Sequence, residues 1–153
     1  MVITLGRSDR GPFAAAVKRY RERVDRGGGG LELRSLKASR LASAADRRRA
    51  DSAALLAAAS DAGGRVVLLD ERGTTFTTAA LFRHVAALEQ RGESRLTLLL
   101  GAADGVEPSA RVQVDEVWSL SPLTLPHELA LVVLLEQLYR LASMAQGHPY
   151  HRS

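Results

Sequence analysis

Short runs of apolar residues alternate along the chain with longer stretches in which apolar positions recur every three or four. Residues 2–5, 66–69 and 96–100 run with almost no polar interruption, Leu31, Leu33 and Leu36 alternate in part, and Val117 and Leu120 flank one more short run. Each predicts a β-strand, and strands without polar alternation are those covered on both faces. Between them Phe13, Val17, Tyr20 and Val24 share one face of a helix over 13–26, which the glycines from position 27 onward end. An Ala-rich stretch predicts a helix over about 42–62, stopped by Gly63-Gly64, and Thr77 or Thr78 can cap another running to about Arg91. Asp70-Glu71-Arg72-Gly73 has the composition of a turn, Pro108 opens a short helical turn at most, and 119–126 is a loop. The last helix spans about 126–146, with Gly147 placed to stop it and Pro149 beyond. Helices alternating with about five such strands predict an α/β fold, a mainly parallel sheet covered by helices on both faces.

This last helix is apolar nearly all round between Leu129 and Leu135. Such a helix must be covered on more than one side, either within the monomer core or by a second copy in a homodimer.

A chain of 153 residues, 46% hydrophobic, is long enough for one domain and can bury a core without disulfides or metals. It has no cysteine, which removes thiol catalysis and Cys-ligated zinc. No apolar run reaches the roughly 20 residues of a membrane span, and the N-terminus lacks the charged lead of a signal peptide, so a soluble cytoplasmic protein is expected. Net charge is +4, and all basic residues but Lys18 and Lys37 are arginine. That balance suits an anionic partner such as RNA, although a coding bias toward Arg and Ala would produce it too. The Arg47-Arg48-Arg49 run fits either phosphate contacts or a solvated helix face.

Common catalytic signatures are missing. No G-x-G-x-x-G follows the first strand, and there is no P-loop, no G-x-S-x-G elbow and no H-E-x-x-H helix. What stands out instead is the C-terminal third. Leu100-Gly101-Ala102-Ala103-Asp104-Gly105 ends a buried strand in small residues that let a ligand approach the backbone. The loop Leu120, Ser121, Pro122, Leu123, Thr124, Leu125, Pro126 follows the next strand, and ligands of open α/β sheets bind outside the strands' carboxyl ends. His127, Tyr139, Arg140, and then His148-Pro149-Tyr150-His151-Arg152 supply aromatic and basic groups suited to stacking on a nucleotide. His148 and His151 lack a third ligand nearby in sequence, so no metal is expected.

Val67-Leu68-Leu69-Asp70-Glu71-Arg72-Gly73, the 100–105 loop, Trp118-Ser119-Leu120-Ser121, Leu123-Thr124-Leu125-Pro126-His127, Leu138-Tyr139-Arg140 and His148-Pro149-Tyr150-His151-Arg152 occur in that order. In these segments the chain resembles the RlmH family, small SPOUT-class methyltransferases that modify N3 of pseudouridine in large-subunit (23S) ribosomal RNA. The resemblance runs the full length and implies a C-terminal trefoil knot, an exception to the rule that chains are unknotted. It implies an S-adenosyl-L-methionine pocket lined by Leu69, Gly101, Gly105 and residues 120–126, a homodimer, and ribosomal RNA in the large subunit or assembled ribosome as substrate. Arg152, His127, Tyr150 and Tyr139 are the implied catalytic candidates, with no general base assigned. Arg140, His148, Tyr150, His151 and Arg152 are the implied substrate contacts. Three positions depart from the family pattern: Ala102 stands where a second glycine is usual, Thr74 where a lysine is expected, and Leu131 where an arginine is. These departures leave a SPOUT-fold RNA-binding protein with weakened or lost methyl transfer as the alternative.

Overall fold

The computed structural model describes residues 1–27 and 30–147. Among the described residues there are five strands and four α-helices: β1 (Val2–Leu5), α1 (Ala14–Arg26), β2 (Leu33–Leu36), α2 (Ala44–Ala62), β3 (Arg65–Thr75), α3 (Thr78–Gln90), β4 (Leu96–Leu100), β5 (Glu116–Ser119) and α4 (His127–Ala145), with a 3₁₀ turn at Pro108–Val112 between β4 and β5. The strands form one sheet in the order β2-β1-β4-β3-β5. Every pairing is parallel. All five carboxyl ends therefore open on the same edge of the sheet, as the uninterrupted apolar runs predict.

The helices divide the core into two layers. On one face Leu131, Leu134 and Leu135 of α4 pack with Val17 of α1 against Val2, Val67, Leu69, Leu98, Leu100 and Trp118. Burying each of those α4 leucines contributes about 2 kcal/mol. On the other face α2 lays Leu55, Ala58 and Ala59 on Ile3, Leu68 and Leu99. Small side chains bring that helix close to the sheet. Its N-cap is Ser43, whose hydroxyl accepts from the Asp46 amide, and Thr77 caps α3 in the same way toward Ala80.

The predicted turn at 70–73 is corrected by the structure. These residues are an insertion inside one long strand: Leu69 and Thr74 both register with Trp118, so four residues bulge out before β3 resumes pairing with β5. Gly73 makes the return possible. A Cβ there would lie 2.6 Å from the Trp118 carbonyl carbon, so no other residue fits the close approach of the two backbones. The composition of a turn marked the right residues, but the return to the same strand depends on β5, more than forty positions away.

The edge strand β5 is tied down by one carboxylate. Glu116 accepts from Arg65 Nε, His84 Nε2 and Trp118 Nε1, each at 2.7 Å. Burial raises its carboxyl, and the hydrogen bonds from Trp118, Arg65 and His84 together outweigh that and hold it below the ordinary range. Phe76 and Trp118 enclose the His84 ring, stacked at 5.3 Å and edge-on at 5.8 Å respectively.

Candidate functional site

At the carboxyl edge of the sheet the bulge of β3, the end of β4, the loops that follow β4 and β5, the 3₁₀ turn and the start of α4 enclose a cleft of about 800 Å³. That volume lies in the range of small-molecule sites, about 300–1,000 Å³. Leu69, Leu100, Val106, Leu120 and Leu125 give it aliphatic walls. Glu71, Arg72, Thr124 and His127 supply its polar side chains, together with Asp70, Asp104, Arg48 and Arg111.

Each wall has an evident local cause. After β4 the chain turns tightly through 102–105: the Gly105 amide donates to the Ala102 carbonyl at 2.9 Å, and Gly105 adopts φ +77°, which glycine alone takes without strain. Gly101 admits Val106 against the strand end, since a Cβ there would meet the Val106 methyl at 2.7 Å. The 120–126 loop is shaped by its own hydroxyls. Ser119 Oγ donates to the Ser121 carbonyl at 2.9 Å, and Ser121 Oγ accepts from the Leu123 amide at 3.0 Å. Across the mouth Thr124 Oγ1 donates to Glu71 Oε2 at 3.0 Å, joining this loop to the β3 bulge. Asp70 fixes the bulge from below: one carboxylate oxygen accepts from the Arg72 amide at 2.9 Å, and the other pairs with Arg111 Nη2 at 2.7 Å.

Of the residues expected to hold a cofactor, Leu69, Gly101, Gly105, Leu120, Ser121, Leu123, Thr124, Leu125 and Pro126 line the cleft. Pro122 is exposed and is not among the lining residues. His127 lines it too, and its Nδ1 is buried with no hydrogen-bond partner. Burial lowers the His127 pKa below its ordinary value, with Glu128 acting in the opposite direction, so the ring is neutral near pH 7. The edge of that ring faces Gly6 at the end of β1.

Tyr139 and Arg140 lie elsewhere. The Arg23 guanidinium of α1 stands 5.4 Å from the centroid of Tyr139 and 5.6 Å from that of Tyr20, and Arg140 donates to Glu136 from Nε and Nη2 at 3.1 and 2.7 Å. His148, Tyr150, His151 and Arg152 lie outside the described residues. The arginine run is committed to carboxylates: Arg47 to Asp104, Arg48 to Glu107 and, at 3.5 Å, Arg49 to Asp46.

Sequence reasoning missed Arg111 and the use of Asp70 as its anchor. Their side chains meet across 41 positions, and nothing local signals the pairing. Among the described residues no group of three or more His, Asp or Glu is placed to hold a metal, and no helix is long and apolar enough to cross a membrane.

A family model described as "Predicted SPOUT methyltransferase" matches residues 1–151. The chain belongs to the SPOUT methyltransferase family. It is a methyltransferase. Several relatives carry the name "Ribosomal RNA large subunit methyltransferase H". One from Alkalilimnicola ehrlichii is 44% identical over 141 residues, covering 90% of each chain. One from a Methylobacterium species is 40% identical over 155 residues, covering 99% of this chain and 96% of its own. A third, from Thermus thermophilus, is 54% identical over 86 residues, or 56% of this chain and 61% of its own. The α/β, all-parallel architecture agrees with the fold that the resemblance implies.

Proposed function

We propose that this methyltransferase binds S-adenosyl-L-methionine in the cleft at the carboxyl edge of the sheet and methylates N3 of pseudouridine in large-subunit ribosomal RNA. The observation that carries the reading is the meeting of the 101–105 loop, the 120–126 loop and His127 in one cleft of fitting volume. The residues present suit the cofactor. Aliphatic walls can sandwich a flat heteroaromatic ring, exposed backbone groups of 120–126 can read its edge, and acidic and basic side chains at the rim can receive its amino and carboxylate ends.

When bound, the cofactor supplies an electrophilic methyl on a sulfonium. The protein's own residues must orient the base and help N3 lose its proton. A neutral imidazole has an acceptor nitrogen, and His127 is the titratable group of the cleft that combines this form with a buried, unpartnered ring atom. A cation near the pyrimidine oxygens would stabilise the developing imide anion, the role assigned to Arg152 of the tail. Tyr150, His148 and His151 are assigned to the base and its neighbours. Tyr139 and Arg140 join this set only if a second chain brings them to the cleft, as the homodimer of the same reading would. The C-terminal trefoil knot that the resemblance implies belongs to the same reading. A ribosomal substrate places the protein in the cytoplasm.

The test is incubation with labelled cofactor and ribosomes from a strain lacking the endogenous enzyme, followed by mass spectrometry of the rRNA. Methyl-pseudouridine is expected. Label transfer to another nucleoside would reject the N3 assignment, and no transfer would reject the substrate.

A further inference from the structure

Within the 101–105 loop one backbone hydrogen bond, from the Gly105 amide to the Ala102 carbonyl, closes the turn, and Ala102 packs on the core. Ala102 and Ala103 have no polar side-chain atoms, so the side-chain hold on this cleft wall comes through Asp104. The external hold is α2. Arg47 Nε and Nη2 grip the two carboxylate oxygens of Asp104 at 2.7 and 3.3 Å, a two-pronged contact that sets orientation as well as distance. The third nitrogen of Arg47 donates to the Leu41 and Ala42 carbonyls, each at 2.9 Å. The guanidinium is thereby fixed to the backbone at the head of its own helix before it reaches the loop. Just beyond the loop Arg48 Nε donates to Glu107 Oε1 at 3.0 Å, and the Glu107 amide donates to Ser52 Oγ of α2 at 2.9 Å.

We propose that Arg47 is a positioning residue for methyl transfer: through Asp104 it holds the 101–105 loop in the shape that receives the cofactor. The proposal rests on the assignment of that cleft to S-adenosyl-L-methionine. Arg47 is not among the residues lining the cleft, so its influence passes through Asp104, which is. The pairing also holds the Asp104 carboxyl below its ordinary range, so the grip stays charged throughout the neutral range. A direct phosphate role is a poorer fit, because every nitrogen of the guanidinium already donates within the chain. Arg49, whose side chain is 74% exposed, is the better probe of that alternative.

The experiment is calorimetric titration of S-adenosyl-L-methionine into the wild-type chain, Arg47→Ala, Arg47→Lys, Asp104→Asn, the Arg47→Ala/Asp104→Asn double variant and Arg49→Ala, with steady-state methylation of ribosomes alongside. Arg47→Ala and Asp104→Asn should each weaken cofactor binding about tenfold, and the double variant no further, as for two members of one contact. Arg47→Lys should recover part of the loss, since it keeps the charge and gives up the fork. KM for cofactor should rise while kcat at saturating cofactor and KM for ribosomes stay within about twofold of wild type. Arg47→Lys, which lies outside the cleft and keeps the charge, keeps the test sound if Arg47→Ala folds poorly. Undiminished cofactor affinity in both single variants overturns the positioning role, as does a rise in ribosome KM with cofactor affinity intact, which would make Arg47 a phosphate contact. If the wild-type chain itself binds no cofactor, the cleft assignment fails and the positioning role falls with it.

Discussion

His127, the first residue of α4, lines the cleft with a buried and unpartnered ring nitrogen, whereas Tyr139 and Arg140 on the same helix are engaged by Arg23 and by Glu136. Twelve residues of helix separate them, about 18 Å at 1.5 Å per residue. The contrast separates two kinds of evidence. Groups assigned to the cofactor cluster within one chain, so the fold alone assembles that half of the site. Tyr139 and Arg140, assigned to the RNA base, do not line it. In the proposed reading they reach the reaction only through a second chain. Predictions about the two ends of α4 should therefore fail independently, and ligand affinity and RNA turnover are the measurements that separate them.

Leu131 sits between the two ends and should give the largest effect. It is 1% exposed and packs in the layer with Val17, Leu134 and Leu135. The resemblance expects an arginine here, and under the RNA-binding alternative restoring it should raise activity. The packing points the other way. Leu131→Arg would force a guanidinium against α1 and should lower stability by about 3 kcal/mol, read as a drop in urea midpoint, with no gain in rRNA methylation. A variant that keeps its midpoint and methylates faster would show that this position belongs to the substrate side.

Gly101→Val should break the cofactor end selectively. Its Cβ would meet Val106 at 2.7 Å, so the 101–105 loop or Val106 must move into the cleft. Affinity for S-adenosyl-L-methionine should fall about a hundredfold, roughly 2.7 kcal/mol. The Tyr139 end should be untouched, and a parallel loss of the Arg23 contact, visible as changed tyrosine fluorescence, would mean the two ends are coupled.

Tyr139→Ala should sharpen the contrast from the other side. Losing the Arg23 cation–π contact and its packing costs about 1 kcal/mol of stability and should leave cofactor affinity within about twofold of wild type. If a second chain brings Tyr139 to the cleft, rRNA methylation should fall by about tenfold while cofactor binding holds. Unchanged methylation would remove Tyr139 from the candidate list.

The strands and helices were legible because their signals are local. Nearly unbroken apolar runs such as 66–69 and 96–100, too short for helices, read as buried strands, and Thr77 and Gly147 mark helix ends by their own chemistry. The cleft's small-residue loops were legible for the same reason, since Gly101 announces a close approach and Gly105 a turn with positive φ. What was hidden is what depends on distant partners. Gly73 reads as a turn glycine until β5 lies against it, and the arginine run reads as a solvated or phosphate-binding face until Asp104 and Glu107 arrive from 57 and 59 positions away. Charge pairs of this kind leave no periodicity behind, so composition alone credits such arginines to an external anion.

The smallest expected effect concerns the protonation of His127. Because burial lowers its pKa in the folded chain below the ordinary 6.5, the unfolded chain binds the proton more readily. His127 therefore imposes no protonation penalty above about pH 6.5. The penalty grows as pH falls from there to the folded-state value and is constant below it. Glu128 is the neighbouring charge that opposes the shift, so Glu128→Gln should deepen the loss and His127→Gln should remove it. Urea unfolding between pH 5 and pH 7 should show a small loss of stability toward low pH that disappears in His127→Gln. Tyr139→Ala should keep the same pH dependence, because its ring belongs to the α1 seam. Loss of the slope in that variant would join the two ends of α4 into a single unit, contrary to the independence that their surroundings imply.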